Sequence, residues 1–95
     1  MSLDALAIRK KRLVHHSRYR GFLESDVILG RFAEEHLAQL SEEQVGRYEA
    51  LLAESDHDIF AWIVGSRPVP ASHDNDVLAL IRSTQMALAR SQRAR

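Results

Sequence analysis

The chain has 95 residues, no cysteine and no net charge, with 13 basic and 13 acidic side chains. A chain of this length removes only about 60–65% of its unfolded surface, too little for a cleft between two lobes. Without cysteine there is no disulfide framework, thiol nucleophile or thiolate metal site. The charge is nonetheless segregated. Residues 1–20 hold six basic side chains (Arg9, Lys10, Lys11, Arg12, Arg18, Arg20) against Asp4, residues 21–60 hold ten acids against Arg31 and Arg47, and three arginines fall in the last six residues. Such asymmetry orients a partner without naming it. No apolar run approaches the roughly 18–20 residues that span a bilayer. Residues 1–7 lead directly into the basic run, with no apolar leader pattern. A soluble, non-secreted protein, compatible with a reducing cytosol, is the expectation.

Helical periodicity recurs along the chain, whereas β-branched alternation is nearly absent. A first helix is expected over 4–19, capped by Ser2 or Asp4, with Leu3, Ile8, Leu13 and Val14 as its apolar face. Gly21 interrupts it. A second helix over 22–37 places Phe22, Leu29, Phe32, Ala33 and Leu37 on one stripe. Ser41-Glu42-Glu43-Gln44 is a capping box with Leu40 as staple. The third helix, running to Leu52, presents Val45, Tyr48, Leu51 and Leu52. Ser55 caps a fourth helix, Asp56 and Asp58 suit its N-terminal dipole, and Ile59, Phe60, Trp62, Ile63 and Val64 make it the most apolar segment. Gly65 ends it. Residues 65–72, with Pro68 and Pro70, form a loop. Ser72 or Asp74 caps the last helix, through Val77, Leu78, Ile81 and Leu88, and the basic tail 91–95 frays. The fold class is all-α: five short helices in a single domain over 1–95, ordered over about 4–90.

The chemistry-bearing residues form no catalytic set. His15, His16, His36, His57 and His73 lack metal-ligand spacing, because adjacent histidines on a helix point about 100° apart, so solvated or packing roles are expected. Glu34-Glu35 and Glu42-Glu43 fit wet helix faces better than a desolvated acid/base pair. No serine sits in a G-x-S-x-G elbow, and the glycines at 21, 30, 46 and 65 match no phosphate-binding loop. The run Arg9-Lys10-Lys11-Arg12 permits a small helical nucleic-acid binder as the alternative, but the neutral charge and the acidic middle oppose phosphate. Trp62 is favoured as a core anchor over an interface position. Arg20-Gly21-Phe22-Leu23-Glu24 is the least ordinary element. Its glycine suits a positive φ or a close approach of another backbone, and Glu24 lies where a local Arg–Glu pair could form. A docking surface for another protein is the reading it supports.

In context these residues carry a resemblance. The basic run with Leu13, then Arg20-Gly21-Phe22-Leu23-Glu24 as an R-G-x-x-E motif, Asp26, Leu29-Gly30-Arg31-Phe32-Ala33, the Leu40-Ser41 to Leu51-Leu52 helix, and Asp56-His57-Asp58-Ile59-Phe60-Ala61-Trp62 followed by Gly65 occur in order over residues 9–82. The chain resembles the SdhE family of succinate dehydrogenase assembly factors, the flavinator proteins. The resemblance implies a five-helix bundle that binds the flavoprotein subunit of succinate dehydrogenase, or of the related fumarate reductase. It further implies that covalent attachment of FAD to a histidine of that subunit is promoted by holding the client in place. The assembly factor would then be a monomer of the bacterial cytoplasm with no catalytic residues and no cofactor or metal of its own, FAD belonging to the client. Carried over residue by residue, Arg20, Gly21 and Glu24 face the flavoprotein, with Glu24 accepting hydrogen bonds and Arg20 donating or bracing Glu24. Arg18, Tyr19, Phe22, Leu23 and Asp26 flank them. Tyr19 and Leu23 depart from the basic and polar residues common there.

Overall fold

The computed structural model describes residues 2–93, with side chains over 5–91. Five helices follow one another: α1 (Ser2–Arg18), α2 (Leu23–His36), α3 (Glu42–Leu52), α4 (Asp56–Val64) and α5 (Asp76–Arg93). Two 3-10 turns, Leu37–Gln39 and Ala71–His73, lie in the connections. The described residues contain no strand, so the all-α expectation holds.

The local signals act where they were read. Ser41 accepts from the Gln44 amide at 3.2 Å while the Gln44 side chain accepts from the Ser41 amide at 2.9 Å, so α3 begins with a full capping box. Ser55 accepts from the Asp58 amide at 3.2 Å and starts α4. Gly65 ends α4 at φ +83°, a left-handed conformation costly for residues with a Cβ. The Trp62 carbonyl in that last turn accepts both Nε (3.0 Å) and Nη2 (2.8 Å) of Arg82.

Three boundary expectations and one burial expectation change. Helix α1 starts at Ser2, so Asp4 lies inside it rather than capping it; the side chains of residues 1–4 lie outside the described residues. The cap of α5 is Asn75, whose Oδ1 accepts from the amides of Val77 (3.1 Å) and Leu78 (3.2 Å), not Ser72 or Asp74. Three good capping residues compete within four positions, and burial of Val77, Leu78 and Ile81 selects the register. Helix α5 continues past Arg90 to Arg93, through residues that favour helix, and 94–95 lie outside the described residues. Ile8 is exposed, because α1 turns Leu6, Leu13 and Val14 toward α2 instead.

The core is one cluster. Leu29, Phe32, Leu37, Val45, Tyr48, Ile59 and Ile81 are fully enclosed, and Trp62 joins them with its indole stacked on His73. Helix α2 is central, packing on α1, α4 and α5. The buried polar groups mostly pair. Ser17 Oγ donates to the Leu13 carbonyl at 2.6 Å, so the Tyr48 hydroxyl 2.5 Å away must donate to Ser17. Burial pushes the Tyr48 phenol well above its ordinary pKa. Ser25 Oγ is buried with no protein partner.

Candidate functional site

The segment between α1 and α2 is short, and its form follows from a few bonds. Gly21 sits at φ +90°, where an L side chain is strained, and a Cβ there would meet nothing within 4 Å. Conformation, not crowding, therefore requires glycine, and the open side leaves the backbone accessible. Phe22 stands extended before the first residue of α2 and has no side-chain cap. Its ring turns inward, 5.0 Å from the His57 ring and 5.3 Å from the Phe60 ring.

Two side chains fix the loop. Asp26, one turn into α2, folds back so that Oδ1 accepts from the Arg20 amide (3.1 Å) and Oδ2 from the Gly21 amide (3.2 Å). Arg20 reaches the opposite way. Its Nε donates to Asp56 at the start of α4, and Nη2 donates to the carbonyls of Leu52 (2.8 Å) and Glu54 (3.3 Å) at the end of α3. The guanidinium fork thus closes the α3–α4 junction and ties it to the α1–α2 junction. Glu54 in turn meets the buried His73 at 2.8 Å, linking the connection before α5.

The expected bracing of Glu24 by Arg20 is not formed. Gly21 breaks the helix between them, so the i,i+4 geometry of a continuous helix does not apply, and three acceptors across the junction outcompete one exposed carboxylate. Glu24 makes no hydrogen bond or ion pair among the described residues and points outward in the first turn of α2. The candidate residues therefore divide. Arg20, Asp26 and Phe22 face the chain's own interior, whereas Gly21, Leu23, Glu24 and Tyr19 are presented to solvent, Tyr19 lying against the His15 ring at 4.7 Å. Arg18, the last residue of α1, pairs with Glu34 of α2, its stem lying over Gly30. A Cβ on Gly30 would come within 3.2 Å of Arg18 Cγ.

Sequence reasoning missed the role of Asp56, which holds Arg20, and of Asp26, which closes the loop. Asp26 stands one position past the capping-box spacing from Phe22, so no standard local signal marked it. Val27 and Val64 were also missed as surface residues; both are exposed beside Leu23.

Elsewhere the charges serve the chain itself. Arg9 donates to Glu49 at 2.6 and 3.2 Å and lies 3.6 Å from Glu42, while Lys10 donates to the Ala38 carbonyl at 2.8 Å. Two of the four cations of the basic run are thus engaged internally. The Arg9 hydrogen bond holds Glu49 below its ordinary carboxylate pKa. Ser55 and then Arg67 do the same for Asp58. Among the described residues no three His, Asp or Glu side chains gather as a metal-holding group. His36 packs on Phe32, His57 on Phe22 and His73 on Trp62.

Residues 11–85 match the family model described as "Flavinator of succinate dehydrogenase". The chain belongs to this family. The matched span holds the Gly21 loop, α2 through α4 and the first half of α5, and it leaves out Arg9 and Lys10. The chain is 38% identical over 81 residues to "Succinate dehydrogenase assembly factor 2, mitochondrial" of Aedes aegypti, covering 83% of this chain and 50% of that protein. It is 37% identical over 81 residues to the assembly factor 2-A of Drosophila erecta, with 83% and 50% covered. With the assembly factor 2 of Drosophila virilis it shares 34% over 94 residues, 97% of this chain and 60% of that one. The chain thus spans about half the length of the curated relatives it matches. These relatives are mitochondrial by name, which overturns the expectation of a bacterial cytoplasm. The lack of an apolar leader pattern in residues 1–7 does not report on mitochondrial import.

Proposed function

We propose that this chain is an assembly factor of succinate dehydrogenase that docks on the enzyme's flavoprotein subunit and promotes covalent attachment of FAD to it. The observation that carries the reading is the Gly21 loop of a flavinator-family member. It is locked from within by Arg20, Asp26 and Phe22, and it presents an open glycine backbone and an unpartnered carboxylate, Glu24, side by side. Glu24 accepts hydrogen bonds from the client, and Gly21 lets the surfaces close.

The chain performs no chemistry of its own in this reading. The client would carry both the flavin and the histidine to which it becomes bonded, so the reacting atoms are both on the client. The assembly factor holds the client's domains in the arrangement that brings those atoms together, which lowers the barrier by positioning. It holds no cofactor, acts as a monomer, and also serves the related fumarate reductase flavoprotein. The engagement of Arg9 and Lys10 within the fold disfavours the nucleic-acid alternative.

Co-expression with a succinate dehydrogenase flavoprotein in cells lacking their own assembly factor tests the proposal, with in-gel flavin fluorescence as readout. Covalent flavin is expected to rise with the wild-type chain and to fall back with Gly21→Arg or Glu24→Arg. Equal fluorescence with and without the chain would sink the reading.

A further inference from the structure

Beside Glu24 lies a surface groove of about 360 Å³ where α2, α4 and α5 diverge. Its walls are Leu23 and Val27 from α2, Phe60 and Val64 from α4, and Leu88 from α5. Leu23 and Val27 are four residues apart, as are Phe60 and Val64, so each pair stands on one helix face. Leu23 is 75% exposed, Val27 51% and Val64 42%. Three large aliphatic side chains thus share one open concavity although each helix has a polar face available. Glu24 is the one charged residue of the lining, and it has no partner among the described residues.

We infer that this groove is the apolar half of the docking site and receives an aliphatic side chain of the flavoprotein from a segment that also carries an arginine or lysine. The inference rests on the docking reading above and extends it from the loop to α4 and α5. Charge complementarity selects the occupant: a lone carboxylate at the rim of an apolar groove fits a cation flanking an aliphatic residue, and it repels an acidic segment. The groove supplies the burial that a single surface ion pair cannot, because exposed pairs contribute little to affinity. Leu23 and Val27 belong to the same first turns of α2 as Glu24, so one ligand segment can engage both.

The test measures the affinity of the full chain for a purified succinate dehydrogenase flavoprotein subunit by calorimetry. Val27→Asp and Val64→Asp are each expected to weaken binding about tenfold or more. Ile8→Asp, at an equally exposed apolar site on α1, is expected to bind as wild type. The loss caused by Glu24→Gln shrinks at high salt, whereas the loss caused by Val64→Asp persists. Should an aspartate disturb folding, the double variant Val27→Thr/Val64→Thr keeps the side-chain shape and should still weaken binding. If the valine variants bind normally while Gly21→Arg does not, the groove inference is overturned and the docking reading stands. If the wild-type chain does not bind, both fall. If sedimentation shows a dimer that the valine variants dissolve, the groove takes a second copy, and the assigned occupant is wrong.

Discussion

Arg20 offers the sharpest separation of scaffold from contact. Its side chain is 15% exposed and that of its partner Asp56 26%. Truncation to alanine strips Asp56 of its cation and leaves the Leu52 and Glu54 carbonyls without their donor. Hydrogen bonds to charged groups contribute about 1.5–3 kcal/mol each when buried. The Glu54 bond is exposed and the pair is partly solvated, so the sum is discounted to about 3 kcal/mol for Arg20→Ala. Arg20→Lys keeps the charge but not the fork, and an ammonium cannot span all three acceptors; about 1–2 kcal/mol is expected. For a chain of this length each kcal/mol shifts Tm by roughly 4–8 °C. Urea denaturation followed by the fluorescence of Trp62, the sole tryptophan, measures both variants. In a cycle with Asp56→Asn the double variant should lose at least about 1 kcal/mol less than the sum of the singles. Glu24→Gln, which breaks no bond, should stay within about 0.5 kcal/mol of wild type. An Arg20→Ala chain as stable as wild type, or zero coupling to Asp56, would refute the bracing role.

Gly21→Ala should cost about 1–2 kcal/mol from the left-handed backbone alone, because the added Cβ meets open space; a Tm unchanged from wild type would contradict the observed φ. Ser17→Ala leaves the Tyr48 hydroxyl buried without an acceptor and should cost about 1–3 kcal/mol, with much of that recovered in Ser17→Ala/Tyr48→Phe, as denaturation midpoints will report. The raised Tyr48 pKa has a definite sign. Both states are protonated below the unfolded value of about 10, so the contribution is complete there. Above it the unfolded chain loses the proton first, and stability falls as pH rises toward the folded value. Tyr48→Phe should flatten that alkaline decline in a midpoint-against-pH series. Ser25→Ala removes a buried hydroxyl with no protein partner, so it should be neutral or stabilising by up to about 1 kcal/mol; a clear loss would show that the hydroxyl is satisfied.

What was legible in the sequence was local. The Ser41–Gln44 box, the Ser55 cap and the Gly65 stop each depend on residues within one turn, and all three form as read. The apolar periods of α2 and α4 likewise identify Leu29, Phe32, Ile59 and Trp62 as core. Long-range partners were not legible. Arg20 meets Asp56 across 36 residues and Arg9 meets Glu49 across 40, and nothing in the spacing distinguishes these acids from their neighbours. The site was read as a string of residues, of which Arg20 and Glu24 looked like mutual partners. Only the turn at Gly21 sends one inward and the other outward. The same limit hid the groove: Val27 lies off the apolar stripe of α2, and only the packing of α2, α4 and α5 brings it beside Phe60, Val64 and Leu88.

This division bears on how the proposed docking surface is to be mapped. Loops are ordinarily the mobile part of a fold, and ordering one on binding costs affinity. Here the loop is held from both sides, by Asp26 on its amides and by Arg20 across the α3–α4 junction, so its outward groups are fixed before any partner arrives. On the proposed docking reading, Arg20 influences binding without touching the partner. A scan that reads only flavin attachment would score Arg20, Gly21 and Glu24 alike and assign all three to the interface. Stability separates them. Arg20→Lys should lower Tm and docking together, and a stabilising solute should restore part of the docking by restoring the loop. Glu24→Gln should lower docking at unchanged Tm, and no solute should restore it. Arg20→Lys with normal stability and weakened docking would place the guanidinium in the interface after all.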